Sequence, residues 1–124
     1  MNCTPPPRSP AVLEDLRLAL RRFAADRDWD QFHSPKNLAM ALSVEAAELL
    51  EHFQWLSDVE SSRLTSEMHA KVSEELADVL LYLVRLADKL DVDLARAAAE
   101  KLKVNAVKYP ADKARGSSKK YSEL

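Results

Sequence analysis

An all-α fold, a four-helix bundle that oligomerises, is what this sequence predicts. Apolar residues recur three and four positions apart through four successive segments, and no segment alternates apolar and polar residues with the period of a strand. The only glycine, Gly116, lies in the C-terminal tail, so the helical segments contain none of the residue that most weakens a helix short of proline. At 124 residues the chain is sized for one domain that buries a usable core and gains from oligomerising.

Residues 1–10 hold four of the six prolines and no apolar periodicity, and they read as a flexible arm. The helical domain is expected over 11–112. Val12, Leu13, Leu16, Leu20 and Phe23 form the apolar stripe of a first helix ending near Asp28, with Glu14, Asp15, Arg17, Arg21 and Arg22 between them. Ser34 followed by Pro35 is an N-cap with proline at the first helical position. Periodicity then predicts a long second helix through Leu38, Leu42, Leu49, Phe53 and Leu56. The polar stretch 57–66 is a connection with room for one helical turn. A third helix from about Glu67 to Leu90 is predicted to bury Met68, Val72, Leu76, Val79, Leu83 and Leu86. Asp93 caps a fourth, through Ala95, Ala98, Leu102 and Val107, which Pro110 stops. Residues 113–124 form a basic tail placed to close over a site.

A formal net charge of -2 and a pI near 5.9 argue against nonspecific gripping of a polyanion, so neither DNA nor RNA is an expected partner. No apolar stretch approaches the ~20 residues of a membrane span, and no N-terminal run resembles a signal peptide. The single cysteine, Cys3, sits in the Pro-rich arm, so neither an internal disulfide nor a cysteine metal site is available. A reducing cytoplasm is the expected compartment.

Two acidic signatures interrupt apolar helix faces. Glu45-Ala-Ala-Glu48 lies on the row Leu38, Leu42, Glu45, Leu49, and Glu75-Leu-Ala-Asp78 lies on the row Val72, Glu75, Val79, Tyr82. Each pair is spaced i, i+3, which puts both carboxylates on one helix face, one turn apart. Four inward carboxylates on consecutive helices repel one another strongly unless a cation meets them. Neutralisation by Arg85 or Lys71 is the bland alternative, and the matched pairs favour a metal. Oxygen-only ligation suits Mg²⁺, with Mn²⁺ also accommodated. Di-iron bundles use Glu-x-x-His pairs, which this chain lacks, and His52 is assigned to packing or hydrogen bonding.

With these pairs in place, the chain resembles the MazG-like all-α nucleoside triphosphate pyrophosphohydrolases over about residues 12–124, and among them the dCTP pyrophosphatases most closely. The metal motif of that group, Glu-x-x-Glu followed by Glu-x-x-Asp, is matched by Glu45, Glu48, Glu75 and Asp78. Arg27-Asp28-Trp29-Asp30-Gln31-Phe32-His33, Phe53-Gln54-Trp55, Asp78 to Val84, Asn105 to Pro110 and Arg115 to Tyr121 sharpen the match. The resemblance implies that Trp29, Asp30, Gln31, Phe32, His33, Trp55 and Tyr82 form the nucleoside pocket. Aromatic faces stack a base, and polar side chains read its edge. Lys101, Asn105 and Tyr109 make a polar row on the fourth helix, and the resemblance turns it toward phosphate or substrate contacts.

The implied reaction is Mg²⁺-dependent attack of water on the α-phosphorus of a pyrimidine deoxynucleoside triphosphate, dCTP or a modified dCTP, giving the monophosphate and pyrophosphate. The four carboxylates hold the metal and its bound water; no single general base follows from sequence. The same resemblance implies a homotetramer, a dimer of dimers with sites lined by more than one subunit, and a role in nucleotide-pool sanitation. The second reading is a noncatalytic helical interaction module whose acidic rows are packing features.

Overall fold

The computed structural model describes residues 11–124, so the Pro-rich arm and Cys3 lie outside the described residues. Four long helices are present: α1 (Ala11–Asp26), α2 (Pro35–Glu51), α4 (Ser66–Lys89) and α5 (Leu94–Lys108). Two single-turn helices, α3 (Asp58–Ser61) and α6 (Ala111–Ala114), and two 3₁₀ turns complete the described residues, which contain no strand. The chain divides into two compact units, Met1–Val92 and Asp93–Leu124. No helix among the described residues is long and apolar enough to cross a membrane.

Side-chain caps set the helix starts. Ser34 Oγ accepts from the Asn37 amide at 3.1 Å with Pro35 next in the chain, Thr65 Oγ1 accepts from the Met68 amide at 3.2 Å, and Asp93 Oδ1 accepts from the Arg96 amide at 3.1 Å. Ser57 and Glu60 form a reciprocal capping box that starts α3. Two helix ends use aspartate where glycine is usual. Asp28 (φ 52°) and Asp91 (φ 54°) adopt the left-handed conformation, and the following amides, Trp29 and Val92, reach back to Ala24 O and Ala87 O at 2.9 Å. At α1 this turn folds Trp29 back beside Phe23, with ring centroids 5.7 Å apart.

Helix α2 stops at Glu51, short of the expected Leu56. The amides of His52 and Phe53 bond three residues back, to Leu49 O and Leu50 O, so the chain tightens into turns. Five residues after His52, Ser57 takes extended backbone to cap α3.

In the first unit, α2 packs along α4, and α1 packs on α4. Ala24, Leu38, Val72, Val84 and Ala87 are buried. The expected α4 stripe is only partly inside: Leu76 and Leu83 are exposed, together with Leu80. On α5, Leu102 and Val107 are also exposed, so both units carry apolar faces that their own helices do not cover.

Between α1 and α4 the joint is ionic. The Asp88 side chain, 5% exposed, accepts from Arg17 Nη1 at 3.0 Å, from Arg21 Nε at 2.8 Å and from Arg85 Nη1 at 3.4 Å. Burial opposes ionisation of Asp88, but the hydrogen bonds from Arg21 and Arg17 outweigh it and hold its carboxyl below the usual 3.8. Because the folded-state value is depressed, this contribution is complete above the unfolded aspartate range and is lost as pH falls through the folded value. Asp88→Asn is therefore expected to cost about 3 kcal/mol at neutral pH, with a smaller difference from the parent in acid, as read by urea denaturation at several pH values. Equal destabilisation at every pH would assign the effect to packing.

Candidate active site

Glu45 and Glu48 on α2 and Glu75 on α4 bring one carboxylate oxygen each within 4.8 Å of one another, all three residues half-buried. Glu45 Oε2 and Glu75 Oε2 are buried with no hydrogen-bond partner, a costly state for two carboxylate oxygens. The cations that could have neutralised them are engaged elsewhere: Arg85 pairs with Asp30 and Asp88, and Lys71 with Glu67. Among the described residues, the one cationic candidate within 4.0 Å of the trio is His52, whose Nε2 lies 3.8 Å from Glu75 Oε1. Burial, then the neighbouring Glu48, Glu75 and Asp78 carboxyls, push Glu45 up to about 7. Orphaned, mutually repelling, hard oxygen donors fit a divalent cation of the Mg²⁺ or Mn²⁺ kind.

Asp78 stands one turn beyond Glu75 and lies outside the trio. It lines a pocket of about 230 Å³ with Leu20, Phe23 and Ala24 of α1, Trp29 and His33 of the connector, and Leu81, Tyr82 and Arg85 of α4. The lining is mostly apolar, with aromatic side chains from Phe23, Trp29 and Tyr82. Its polar groups are few, as expected of a small-molecule site. Arg27 lies over the ring of Phe23, 3.6 Å from its centroid. His33 Nδ1 accepts from Arg85 Nε at 3.1 Å. Burial, followed by the charges of Arg85 and Lys89, lowers the His33 value against the opposing pull of Asp30, so the imidazole is neutral at neutral pH.

Residues 40–124 match the MazG-like family, a span that includes all four acidic positions. This chain belongs to the MazG-like family. It is 49% identical over 115 residues to a Homo sapiens protein named dCTP pyrophosphatase 1, covering 91% of this chain and 68% of the relative. The Rattus norvegicus protein of the same name is 48% identical over the same length and shares. Among solved structures, a pyrophosphatase from Archaeoglobus fulgidus superposes with a TM-score of 0.75 at 42% identity, covering 79% of this chain and 92% of that one.

Within the first unit of this MazG-like chain, the other expected pocket residues divide. Asp30 does not line the cavity; its carboxylate is held by Lys89 and by Arg85 Nη2, which keeps it ionised below its ordinary value. Gln31 turns back to Asp28 O and Oδ2, both at 3.0 Å, and Phe32 is exposed. Trp55, 87% exposed, lies in the turns after α2 and outside the pocket of its own chain. Phe23, Ala24, Leu81 and Arg85 line the pocket without having been singled out for it. The signal was present: Asp78, Leu81, Tyr82 and Arg85 share one stripe of α4, and Leu20, Phe23 and Ala24 share one of α1.

The second unit carries Lys101, Asn105 and Tyr109. Lys101 is exposed, and Asn105 O accepts from the Tyr109 amide at 2.8 Å where α5 ends. The tail is folded onto this end: Tyr121 meets Tyr109 edge-on with centroids 6.1 Å apart, and Lys108 Nζ lies 5.0 Å over the Tyr121 ring.

Proposed function

We propose that this chain is a Mg²⁺-dependent nucleoside triphosphate pyrophosphohydrolase acting on a pyrimidine deoxynucleoside triphosphate, dCTP or a modified dCTP, to give the monophosphate and pyrophosphate. The observation that carries the reading is the continuity of the α4 acidic pair. Glu75 belongs to a carboxylate trio with unsatisfied buried oxygens, and Asp78, one turn on, belongs to an aromatic pocket. A ligand with a flat base at one end and a polyphosphate at the other matches both ends of that arrangement. The relatives named dCTP pyrophosphatase 1 support the same substrate.

In this reading Glu45, Glu48, Glu75 and Asp78 hold the divalent cation. When bound, that ion screens phosphate charge, orients the pyrophosphate leaving group and makes water a better nucleophile. The chain's own groups do the rest. Trp29 and Tyr82 offer ring faces to the base, Phe23 backs Trp29, and His33 reaches the base edge from the pocket wall. Asp30 and Gln31 fix the connector that carries Trp29 and His33, and Lys101, Asn105 and Tyr109 are the candidate phosphate contacts. Water attacks the α-phosphorus and the bond to the bridging oxygen of the leaving pyrophosphate breaks, one of the four carboxylates taking the water's proton.

The exposed apolar faces of α4 and α5 and the position of Trp55 support a homotetramer in which Trp55 completes the pocket of a neighbouring subunit. Light scattering at micromolar concentration is expected to give no monomer; a fully active monomer would remove the shared site. A cytoplasmic role in clearing modified nucleotides accompanies this reading. The substrate assignment is tested by kcat/KM for dCTP, 5-methyl-dCTP, dTTP and dATP under identical Mg²⁺. The cytosine nucleotides are expected to lead, and dATP equal to dCTP would refute the pocket assignment.

A further inference from the structure

Arg85 is the one buried charged residue of the pocket wall, 5% exposed, and the proposed reaction makes no use of its charge. Its guanidinium is committed in three directions. Nε donates to His33 Nδ1 at 3.1 Å, Nη2 to Asp30 Oδ1 at 2.8 Å and Nη1 to Asp88 Oδ2 at 3.4 Å. A guanidinium has donors and no acceptor, so the imidazole nitrogen that receives it carries no proton. The proton of the neutral ring is then on Nε2, the choice of tautomer following from the partner of the other nitrogen. Asp88, gripped by Arg17 and Arg21, and Asp30, gripped by Lys89, keep the guanidinium from turning away.

We infer that Arg85 is a positioning residue for base selection: its bond to His33 Nδ1 fixes His33 as the Nε2–H tautomer, so the pocket presents a donor to the Watson–Crick edge of the base. The inference rests on the pocket being the nucleoside site. Cytosine carries acceptors at N3 and O2 side by side, whereas thymine and uracil carry a proton at N3. A fixed donor aimed at N3 meets cytosine with a hydrogen bond and meets thymine or uracil with a buried N–H facing an N–H; it is N3, not the shared O2 acceptor, that discriminates. Such a mismatch is worth on the order of tenfold or more in kcat/KM.

Histidine ¹⁵N NMR of the full-length protein, with the His33 signals assigned through His33→Gln, reads the tautomer without any substrate. The expected result is a protonated Nε2 and an unprotonated Nδ1 in the parent, and a mixture of tautomers in Arg85→Met. The same Arg85→Met protein is expected to lose on the order of tenfold in its dCTP-over-dTTP preference, mainly through KM. If Arg85→Met does not fold, a second pair of variants decides. The carboxamide of Gln reaches the place of Nε2 and can donate there, while that of Asn sits at the place of Nδ1. His33→Gln should therefore keep more of the preference than His33→Asn. Averaged tautomers or a protonated Nδ1 in a parent that hydrolyses dCTP would overturn the role of Arg85 alone, as would equal preference in the two His33 variants. Failure of the parent to hydrolyse dCTP would overturn the pocket reading and this inference with it.

Discussion

Glu45→Gln, Glu48→Gln, Glu75→Gln and Asp78→Asn are each expected to lower hydrolysis at saturating Mg²⁺ by at least about 100-fold while leaving a folded helical protein. Each substitution removes charge but little volume, and a divalent cation contributes several kcal/mol to the reaction, of which a lost ligand forfeits a large part. Pyrophosphate release and circular dichroism on the same preparations check it. Unaltered activity in any two variants would sink the four-ligand assignment. Glu45→Gln carries a second signature in the absence of divalent cation. The folded-state value of Glu45 is raised from 4.5 to about 7, so the ionised group costs stability, increasingly as pH rises from the unfolded value through the folded one. Cation-free Glu45→Gln should thus be more stable than the cation-free parent at pH 8, with the gain fading toward pH 5. Saturating Mg²⁺ should reverse the order, because only the parent keeps the full ligand set.

Trp29→Ala is expected to raise KM for dCTP by about 5- to 150-fold, the range that a lost base stack of ~1–3 kcal/mol implies. Turnover at saturation should fall far less, since Glu45, Glu48, Glu75 and Asp78 are untouched. Trp55→Ala separates two ideas. Trp55 is outside the pocket of its own chain, so an effect on KM in an intact oligomer would place it in a neighbour's site. No effect on KM or assembly would leave it without a substrate role. Steady-state kinetics and light scattering on both variants give the answer.

Helix positions were legible because their signals are local: Ser34-Pro35 and Asp93 announce starts that the backbone uses, whereas the Thr65 cap of α4 lies within a stretch that reads as a polar connection. The end of α2 was not, because the row Leu49, Phe53, Leu56 keeps helical spacing while Ser57 demands extended backbone for its own cap. The acidic pairs could be read from i, i+3 spacing on an apolar face, and the trio's closeness follows from α2 packing on α4. The pocket was harder. It depends on the left-handed turn at Asp28 that returns Trp29 to Phe23, and on Arg85, whose charge suggested a partner for the acidic pairs and not a buried strut beneath His33. Apolar residues such as Leu76 and Leu83 read as core because periodicity shows that a face is apolar without showing what covers it.

The most direct measurement is product identity. The protein is incubated with dCTP and Mg²⁺ in ¹⁸O-enriched water, and the products are followed by ³¹P NMR and mass spectrometry. Attack at the α-phosphorus predicts equimolar dCMP and pyrophosphate, with one ¹⁸O in the dCMP phosphate and none in the pyrophosphate, and no products in EDTA. Release of orthophosphate with dCDP, label in the pyrophosphate, or undiminished hydrolysis in EDTA would contradict it.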